Sequence, residues 1–394
     1  MANLIDKGND KWQVRVFLGR DENGKTKFHN KTIKGKREAQ AYLAKMTNKR
    51  NEGVISDSGR VTVKEHMETW LETVVKNRVR EKTYLDYKDR VRLYISPVIG
   101  NIKLDKLKPE QIQIMYNDML ERNLSPRTIR YTHTILSNSL KQAVRWNRIY
   151  RNPAELVDLP RQEKKEMQAL SQEQVRAFMD VIIYSPWKAF YSLLLDSGMR
   201  PGEALGLKWN DIDFDNKRVT VNRALTRIRK DSAPELYLLR IILNIKCWKL
   251  EEPKTKRSRR TIPLTEQVTK DLREHEMTQK AQKLKAEPGT YFDQGFVFAA
   301  SNGEPMDQRH LYNRYFKPLL VKAKLPAIRL YDIRHTCASL LLLAGVNPKI
   351  VSERLGHASV VLTLDTYSHV LPDMQQSATE KLEGLLFNGT DGNN

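Results

Sequence analysis

The stretch Leu355-Gly356-His357-Ala358-Ser359, separated by three residues from Thr363-Leu364-Asp365-Thr366-Tyr367-Ser368-His369, decides how this chain is interpreted. Two stretches nearer the N-terminus belong with it, Ser197-Gly198-Met199-Arg200-Pro201-Gly202-Glu203 and Arg334-His335-Thr336. Together they supply cations able to bind a phosphate and one tyrosine able to attack it. The pattern predicts chemistry at a phosphodiester.

Arg200 and Arg334 are the predicted phosphate-binding pair. A phosphodiester attacked by an oxygen gains negative charge on its non-bridging oxygens, and guanidinium groups match those oxygens and stay protonated at working pH. Arg200 precedes Pro201, a favoured first residue of a helix, so we expect it at a helix N-terminus, where anions are stabilised. The plainer alternative for Arg200 is a surface arginine without a partner.

Tyr367 is the predicted nucleophile of a reaction that cuts DNA through a covalent phosphotyrosine. The ordinary pKa of tyrosine is about 10, and we expect neighbouring cations to lower the pKa of this one. The chain holds 15 tyrosines, and a buried tyrosine is ordinarily a core residue. His357, shortly before Tyr367, favours the catalytic interpretation because it can donate a hydrogen bond to a phosphate oxygen during the attack.

Residues 165–385 resemble the catalytic domain of the tyrosine recombinases, the phage integrase family. The motifs that carry the resemblance occur in family order: Ser197 to Trp209, Pro253 to Leu264, Tyr331 to Ser339, Leu355 to Ser359 and Thr363 to His369. The chain's layout is similar to that of integrases of phages and conjugative transposons from Gram-positive bacteria. The resemblance implies a site-specific recombinase that integrates, and excises, a phage or mobile element through a 3′-phosphotyrosine.

The resemblance also implies three domains with different contacts to double-stranded DNA. Residues 1–58 would bind arm-type attachment sites, and residues 61–158, a helical SAM-like domain, would bind core-type sites. Residues 165–394 would form the catalytic domain and close a clamp around the duplex with the second domain. A homotetramer would assemble on the DNA, with an excisionase and a host DNA-bending protein as possible further partners.

Lys254 matches the lysine that serves the family as general acid on a β-hairpin, protonating the departing 5′ oxygen. It stands in Pro253-Lys254-Thr255-Lys256, and the cluster continues with Arg257, Arg259 and Arg260. A purely electrostatic contact with DNA is the alternative for each member, and we favour it for Lys256, Arg257, Arg259 and Arg260.

Tyr331 departs from the family pattern, in which the position three residues before the second arginine is usually histidine. A phenol donates a hydrogen bond to phosphate, but it cannot accept a proton near neutral pH as imidazole does. The acceptor of the Tyr367 proton is therefore left open. His335 is interpreted as structural, because adjacent residues on a helix point apart and Arg334 is catalytic. His369 is also interpreted as non-catalytic.

Composition favours a polyanionic partner. The 394 residues carry a formal net charge of +21, which attracts nucleic acid and steers its approach. A soluble basic protein without such a partner, or an anionic membrane surface, are the alternatives. No apolar run reaches the roughly 20 residues that span a bilayer, and the N-terminus lacks the apolar core of a signal peptide. With Cys247 and Cys337 alone, neither a disulfide framework nor a cysteine-rich zinc site is indicated. We expect a nucleoid-associated protein in the bacterial cytoplasm.

Periodicity predicts a multidomain α+β chain that begins with a small three-stranded sheet and one helix. Trp12 to Phe17 alternates as a half-buried strand, Asn23-Gly24 signals a hairpin, and further strands are expected through Phe28 and over Lys31 to Ile33. A helix follows from Lys36 to Arg50. Residues 1–60 hold 14 Lys and Arg against 7 Asp and Glu. Such a sheet can enter a DNA groove, with Arg15 and Lys27 as candidate contacts; the alternative is a dimerisation or folding module.

The second domain is predicted to be all-helical. The helix starts are a capping box at Thr62-x-x-Glu65, Lys82-Thr83, Pro109 and Ser125-Pro126. The last of these helices is expected to end near Asn147. Five cations on these helices are candidate exposed contacts to the phosphate backbone: Arg127, Arg130, Lys141, Arg145 and Arg148.

A polar linker over 151–166 is predicted to precede a mainly helical catalytic domain with a small sheet. Ser171-x-x-Gln174 caps its first helix, strands are expected at Arg218 to Asn222 and Arg260 to Leu264, and a helix at Thr265 to Leu284. The apolar stretch Leu236 to Trp248 is longer than the turn usual before the lysine motif. A last helix at Gln376 to Leu386 is expected either to dock on a neighbouring protomer or to cap its own core.

No cofactor and no metal are expected. The chain shows neither the clustered acids of a two-metal nuclease nor a phosphate-binding glycine loop. A covalent link stores the energy of the broken bond, so no nucleotide is needed. Two rival functions stay open: a type IB-like topoisomerase, and a catalytically inactive DNA-binding regulator.

Overall fold

The computed structural model describes residues 2–20, 26–51, 61–163, 167–227, 248–252 and 259–367, and isolated residues between 379 and 386. The chain divides into two compact units, Met1–Lys164 and Lys165–Asn394. Secondary structure is mixed and mostly helical with small sheets, which confirms the predicted fold class. Among the described residues, no helix is both long and apolar enough to cross a bilayer.

The N-terminal sheet has three antiparallel strands in the order β1-β2-β3: β1 Ala2–Asp6, β2 Lys11–Arg20 and β3 Thr26–Lys34. Helix α1, Lys36–Asn51, confirms the predicted helix, and its Ala39 packs on the fully buried Val14 and Val16 of β2. The strand prediction was partly wrong. β1 was not predicted, and the two strands expected after the hairpin are one continuous strand, β3. The Asn23-Gly24 turn lies outside the described residues.

The rest of the first unit is helical, as predicted. Its helices are α2 Val63–Trp70, α3 Glu81–Arg90, α4 Ser96–Ile99, α5 Pro109–Glu121 and α6 Pro126–Arg145, with π-helical turns extending α2 and α3. The capping box of α2 is confirmed, since Thr62 accepts from the backbone of Glu65 and the Glu65 carboxylate accepts from Thr62. Met67, Tyr116 and Leu136 lie in its fully buried core.

Part of the predicted linker packs on the helical domain. A 3₁₀ turn at Pro153–Leu156 buries Ala154 in the helical core, and Arg130 donates from Nε to the carbonyl of Pro160 at 2.8 Å. The first ten residues of the segment therefore belong to the helical fold.

The second unit contains helices, a three-stranded sheet and a two-stranded hairpin. Its helices are α7 Gln172–Ile182, α8 Lys188–Ser197, α9 Pro201–Leu205, α10 Glu266–Lys285, α11 Gln308–Leu311, α12 Lys317–Lys322, α13 Asp332–Leu343, α14 Pro348–Leu355 and α15 Val360–Tyr367. The strands β4 Ile212–Asp213, β5 Arg218–Val221 and β8 Arg260–Pro263 form one antiparallel sheet, and β6 Ala224–Arg227 pairs with β7 Trp248–Glu251.

Local signals account for most of these elements. The Ser171 capping box of α7 is confirmed, as are the strands at β5 and β8 and the helix α10. Fully buried aromatic rings of Phe178, Phe190, Tyr191, Phe298 and Phe316 form much of the core. This core supports α8, α9 and α13, the helices that carry the site.

Candidate active site

Arg200 lies at the N-terminus of α9, as predicted. Gly198 ends α8 in the left-handed region with φ 63°, and Pro201 begins α9 immediately after Arg200. Arg200 donates from Nη1 to Oε1 of Glu203 at 2.6 Å, and its backbone N–H donates to Oε2 at 3.0 Å. The buried carboxylate thus fixes the guanidinium one helical turn away.

Arg334 is almost completely enclosed, with 1% of its surface exposed. Its Nη1 donates to the carbonyl of Gly198 at 2.8 Å, whereas its buried Nη2 has no hydrogen-bond partner within the described part of the chain. Burial and repulsion from Arg200 lower the pKa of Arg334 to about 10, so it stays protonated at neutral pH. An enclosed cation with an unused donor has the charge and the hydrogen-bonding capacity that suit an anion.

Glu203 also binds a third guanidinium. Arg260 of β8 donates from Nη2 to Oε2 of Glu203 at 2.9 Å and from Nε to the carbonyl of Arg354 at 2.6 Å. Burial alone would raise the pKa of the Glu203 carboxyl. The positive charges of Arg260 and Arg200 outweigh burial, so the net effect is a lowered pKa. Arg260, placed by sequence in a cluster of DNA-contacting cations, is instead 7% exposed and paired inside the site. The i, i+3 spacing of Arg200 and Glu203 was the available signal for this network.

His357 follows Gly356, which ends α14 in the left-handed region with φ 68°. Its Nδ1 lies 2.8 Å from Oγ1 of Thr363 in α15. Burial and the positive charges of Arg334 and Arg200 lower the pKa of His357 to about 4. The imidazole is therefore neutral at pH 7 and sits in the field of both guanidinium groups.

Tyr367, the last residue of α15, is 1% exposed. Its Oη lies 2.8 Å from Nδ1 of His335, and the ring packs with Ala338, Leu342, Val351 and Leu355. Burial raises the pKa of Tyr367, and the opposing effect of Arg334 is smaller. The expectation that cations lower this pKa was therefore wrong for the free chain, because desolvation of the phenolate dominates.

His335 has a contact that the sequence interpretation did not anticipate. It does point away from Arg334, but that direction leads to Tyr367, 32 residues later in the chain. Its ring centroid is 5.8 Å from that of Tyr367 and 5.2 Å from that of Tyr331. The rule that adjacent residues point apart applies only within one helix. It does not predict that α15 packs on α13 and places Tyr367 next to His335.

Tyr331 precedes α13 and is 37% exposed. Burial lowers the pKa of Arg200, but Glu203 and Tyr331 more than offset this, and the pKa is raised. The phenol thus interacts electrostatically with Arg200 and Arg334 from an accessible position. Lys254 falls outside the described residues, although β6 and β7, the two strands before it, do pair antiparallel.

These side chains share one region of the second unit. The pKa of His357 responds to Arg334, Arg200, His335 and Arg260, and that of Tyr367 responds to Arg334 and Tyr331. The region combines fixed cations, a neutral imidazole and a phenol, and its chemistry suits transfer of a phosphoryl group to tyrosine.

Comparison with known proteins agrees with this chemistry. Residues 168–374, more than half of the chain, match the phage integrase family. The chain belongs to the phage integrase family. Residues 62–120 match the N-terminal SAM-like domain of phage integrases. The protein is thus a DNA strand-transfer recombinase of the tyrosine recombinase type.

Relatives of this integrase include proteins of mobile elements. It is 32% identical over 400 residues to a tyrosine recombinase XerC-like protein of Caldanaerobacter subterraneus subsp. tengcongensis, with 98% of this chain and 99% of the relative covered. It is 26% identical to the transposase of transposon Tn916 from Enterococcus faecalis, over 77% of this chain and 74% of the relative.

Among solved structures, the integrase of transposon Tn1549 in complex with a circular intermediate DNA has a similar fold, with a TM-score of 0.66 at 24% identity. The match covers 82% of this chain and 99% of that one. A lambda integrase dimer bound to a core site matches over 100% and 97% of the two chains, with a TM-score of 0.57 at 15% identity.

The cations predicted to contact DNA differ in their exposure and in their bonding to other residues. Arg127 and Arg145 are exposed. Lys141 and Arg259 are exposed but paired with acids, Lys141 with Glu155 at 3.6 Å and Arg259 with Glu252 at 2.9 Å. Two cations predicted to be exposed are half-buried and bonded: Arg130 to Pro160 and Arg148 to Nδ1 of His66 at 3.1 Å.

In the N-terminal sheet, the Arg15 guanidinium lies 3.8 Å from the ring centroid of Phe28, while Lys27 belongs to β3. Lys256, Arg257 and the stretch 236–247 lie outside the described residues, as do Cys247 and His369. Most of the expected helix 376–386 does too, although Leu382 and Leu386 are described and exposed.

Proposed function

We propose that this integrase cuts and rejoins DNA through a 3′-phosphotyrosine on Tyr367, and so integrates and excises a phage or mobile element. The observation that carries the proposal is the unused Nη2 of buried Arg334, held beside Arg200 and within the electrostatic reach of Tyr367. Burying a cation with an unsatisfied donor is costly unless an anion completes it. A scissile phosphate has the charge and the oxygens to do so.

Each residue has a defined role in the proposed step. Arg200 and Arg334 bind the non-bridging oxygens, and His357 and Tyr331 add hydrogen bonds to them. Tyr367 attacks phosphorus and Lys254 protonates the departing 5′ oxygen. The reverse reaction, with the 5′ hydroxyl of another strand as nucleophile, rejoins the DNA without an added nucleotide.

The raised pKa of Tyr367 supports an ordered start to the reaction. In the free chain the phenol is buried, protonated and bonded to His335. A phosphate placed between the guanidinium groups gives Tyr367 an electrophile, so activation coincides with DNA binding. This arrangement protects the chain from attacking phosphodiesters that are not held in the site.

DNA recognition and assembly are proposed from the family. The first unit would bind arm-type and core-type sites, through residues 1–58 and 61–158 respectively, and a homotetramer on nucleoid DNA would carry out exchange. The exposed Arg127, Lys141 and Arg145 on α6 and the net charge of +21 support backbone contact. An excisionase and a host DNA-bending protein are the expected accessory partners.

Recombination between attachment sites tests the proposal. Sequencing the DNA that flanks the gene supplies candidate sites, which are placed on two plasmids and incubated with the full-length chain or with Tyr367→Phe. We expect joined plasmids from the wild type and none from the variant, with equal DNA binding by both.

The rival functions give different results in the same samples. Relaxation of a supercoiled plasmid that lacks attachment sites, without joining, would indicate a topoisomerase. Specific binding with neither joining nor covalent attachment would indicate an inactive regulator.

A further inference from the structure

The contact between Tyr367 and His335 bears on where the phenol proton goes. Oη of Tyr367 lies 2.8 Å from Nδ1 of His335, a normal hydrogen-bond length between α15 and α13. The tyrosine recombinases usually have a histidine at position 331, and that histidine could accept the proton. This chain has a tyrosine there. Attack on phosphorus requires a group that removes the proton from Oη.

We propose that His335 is the proton acceptor of Tyr367. As Oη forms its bond to phosphorus, its proton moves to Nδ1, and the bond from phosphorus to the 5′ oxygen breaks. That oxygen takes a proton from the general acid, for which Lys254 is the candidate. On rejoining, the imidazolium returns its proton to the departing tyrosine oxygen. The proposal rests on the proposed function, since it assigns a role within the same reaction.

The surroundings of His335 keep it ready to accept. Burial lowers its pKa, so the imidazole is neutral near pH 7. In the tautomer that carries its hydrogen on Nε2, the lone pair of Nδ1 faces Oη and accepts its hydrogen bond. The charged and titratable groups around it are Arg329, Tyr331, Asp332 and Arg334 on or just before α13, Tyr367 on α15 and His357 before α15.

Among these neighbours, Asp332 favours the imidazolium, while Arg334 and Arg329 oppose it. A bound phosphate offsets the charge of Arg334 and so makes the imidazolium less costly. Proton acceptance is therefore easiest when substrate is present.

The other groups near Tyr367 are less suited to this role. His357 contacts Thr363 through Nδ1 and has its pKa lowered to about 4, which makes it a weak base. Tyr331 is a phenol and has no basic lone pair comparable to that of imidazole. Within the described residues, His335 supplies the ring nitrogen that lies within hydrogen-bond distance of Oη.

A purely positional role for His335 must be separated from proton acceptance. Asparagine places an amide oxygen close to the position of Nδ1, where it still accepts the hydrogen bond of Tyr367 but cannot take the proton near neutral pH. His335→Asn therefore keeps positioning and removes basicity, while His335→Ala removes both. His310→Asn, at an exposed histidine of α11, is the matched control for losing an imidazole elsewhere.

The experiment is single-turnover cleavage of a nicked attachment-site duplex by saturating full-length protein, followed from about pH 5 to 8, where imidazole titrates. We expect His335→Asn and His335→Ala to lose about 10²- to 10⁴-fold in cleavage rate. Both should keep DNA affinity, and the acid limb of the rate profile should disappear in His335→Asn. His310→Asn should match the wild type.

A rate for His335→Asn within about threefold of wild type, with an unchanged pH profile, would overturn the inference and leave the proposed function standing. Covalent product from Tyr367→Phe would instead overturn the proposed function. If His335→Ala unfolds, as circular dichroism would show, His335→Asn alone decides the question.

Discussion

The guanidinium of Arg334 donates a hydrogen bond of 2.8 Å to the carbonyl oxygen of Gly198, a residue held at φ 63°. One of the two arginines proposed to bind phosphate is thus positioned by the backbone turn that leads into the other, Arg200. The spacing of the cations therefore depends on a left-handed conformation that glycine adopts without strain. The local fold at Gly198 therefore sets the position of a proposed catalytic arginine.

Gly198→Ala should destabilise the second unit and slow cleavage. Alanine at positive φ is strained by about 1 kcal/mol. Its Cβ would also lie 2.5 Å from Cδ2 of Leu355 and 3.2 Å from Sγ of Cys337. Gly289→Ala is the control, since Gly289 has φ +80° but nothing within 4 Å of a Cβ. Urea unfolding should show a clearly larger loss for Gly198→Ala. Equal losses would mean that packing around this turn is not tight.

Arg334→Lys should lower the cleavage rate with little effect on DNA affinity. A lysine keeps the charge but cannot donate to Gly198 and present a second donor to the phosphate at once. Loss of one preorganised donor of this kind costs about 10²- to 10³-fold in rate. Arg329→Lys, at a largely exposed arginine just before the same helix, should cleave normally. Single-turnover cleavage measures both; similar rates for the two variants would contradict the role given to Arg334.

Glu203→Gln should remove a pH-dependent part of the stability. The pKa of Glu203 is lower in the folded chain than in the unfolded chain. The Glu203 carboxylate therefore stabilises the fold fully above the pKa of the unfolded chain, and this stabilisation is lost as pH falls through the pKa of the folded chain. We expect wild type to exceed Glu203→Gln in unfolding free energy at pH 7, and the gap to shrink below about pH 4. Denaturant titrations at several pH values check this. A gap that stays constant with pH would show that charge is not its cause.

His357 should titrate far below ordinary histidine in the free protein. Burial, Arg334 and Arg200 lower the pKa of His357 to about 4. Between the ordinary histidine pKa and about pH 4, His357 is therefore protonated in the unfolded chain but not in the folded chain. Stability should therefore fall as pH decreases across that interval. NMR of the imidazole C–H resonances, assigned with His357→Gln, measures the pKa directly. Bound DNA phosphate should raise it, and a free-protein pKa near the ordinary value would contradict the burial found here.

Lys254 and His335 should respond differently to a better leaving group. A 5′-bridging phosphorothiolate departs without a proton, so it bypasses the general acid but not the acceptor of the tyrosine proton. Lys254→Ala should be slow on the natural duplex and near wild type on the thiolate, whereas His335→Asn should be slow on both. Rate measurements on paired substrates decide this. Failure of the thiolate to rescue Lys254→Ala would remove that lysine as the acid.

Sequence signals predicted the elements whose determinants are local. Ser171 with Gln174 marks the start of α7, and Pro201 after Arg200 fixes the helix end that orients the guanidinium. Strand β1 was missed because its five residues show little alternation, and pairing with β2 stabilises it. Such pairing is a tertiary effect that propensity does not contain.

The electrostatics of the site could not be predicted from residue types alone. Cations near Tyr367 suggested a lowered pKa, but the sign depends on how far burial outweighs them, and burial is known only once α15 packs on α13. In the same way, Arg260 looked like one more surface cation until Glu203 was found beside it. Contacts between elements distant in sequence decided both cases.

The identity of the residue that becomes covalently bound to DNA tests the central claim most directly. The full-length chain is incubated with a nicked attachment-site duplex, the covalent complex is digested with trypsin and nuclease, and the modified peptide is sequenced by mass spectrometry. We expect a phosphodiester-derived adduct on Tyr367 and none in Tyr367→Phe. An adduct on any other residue, or its persistence in Tyr367→Phe, would contradict it.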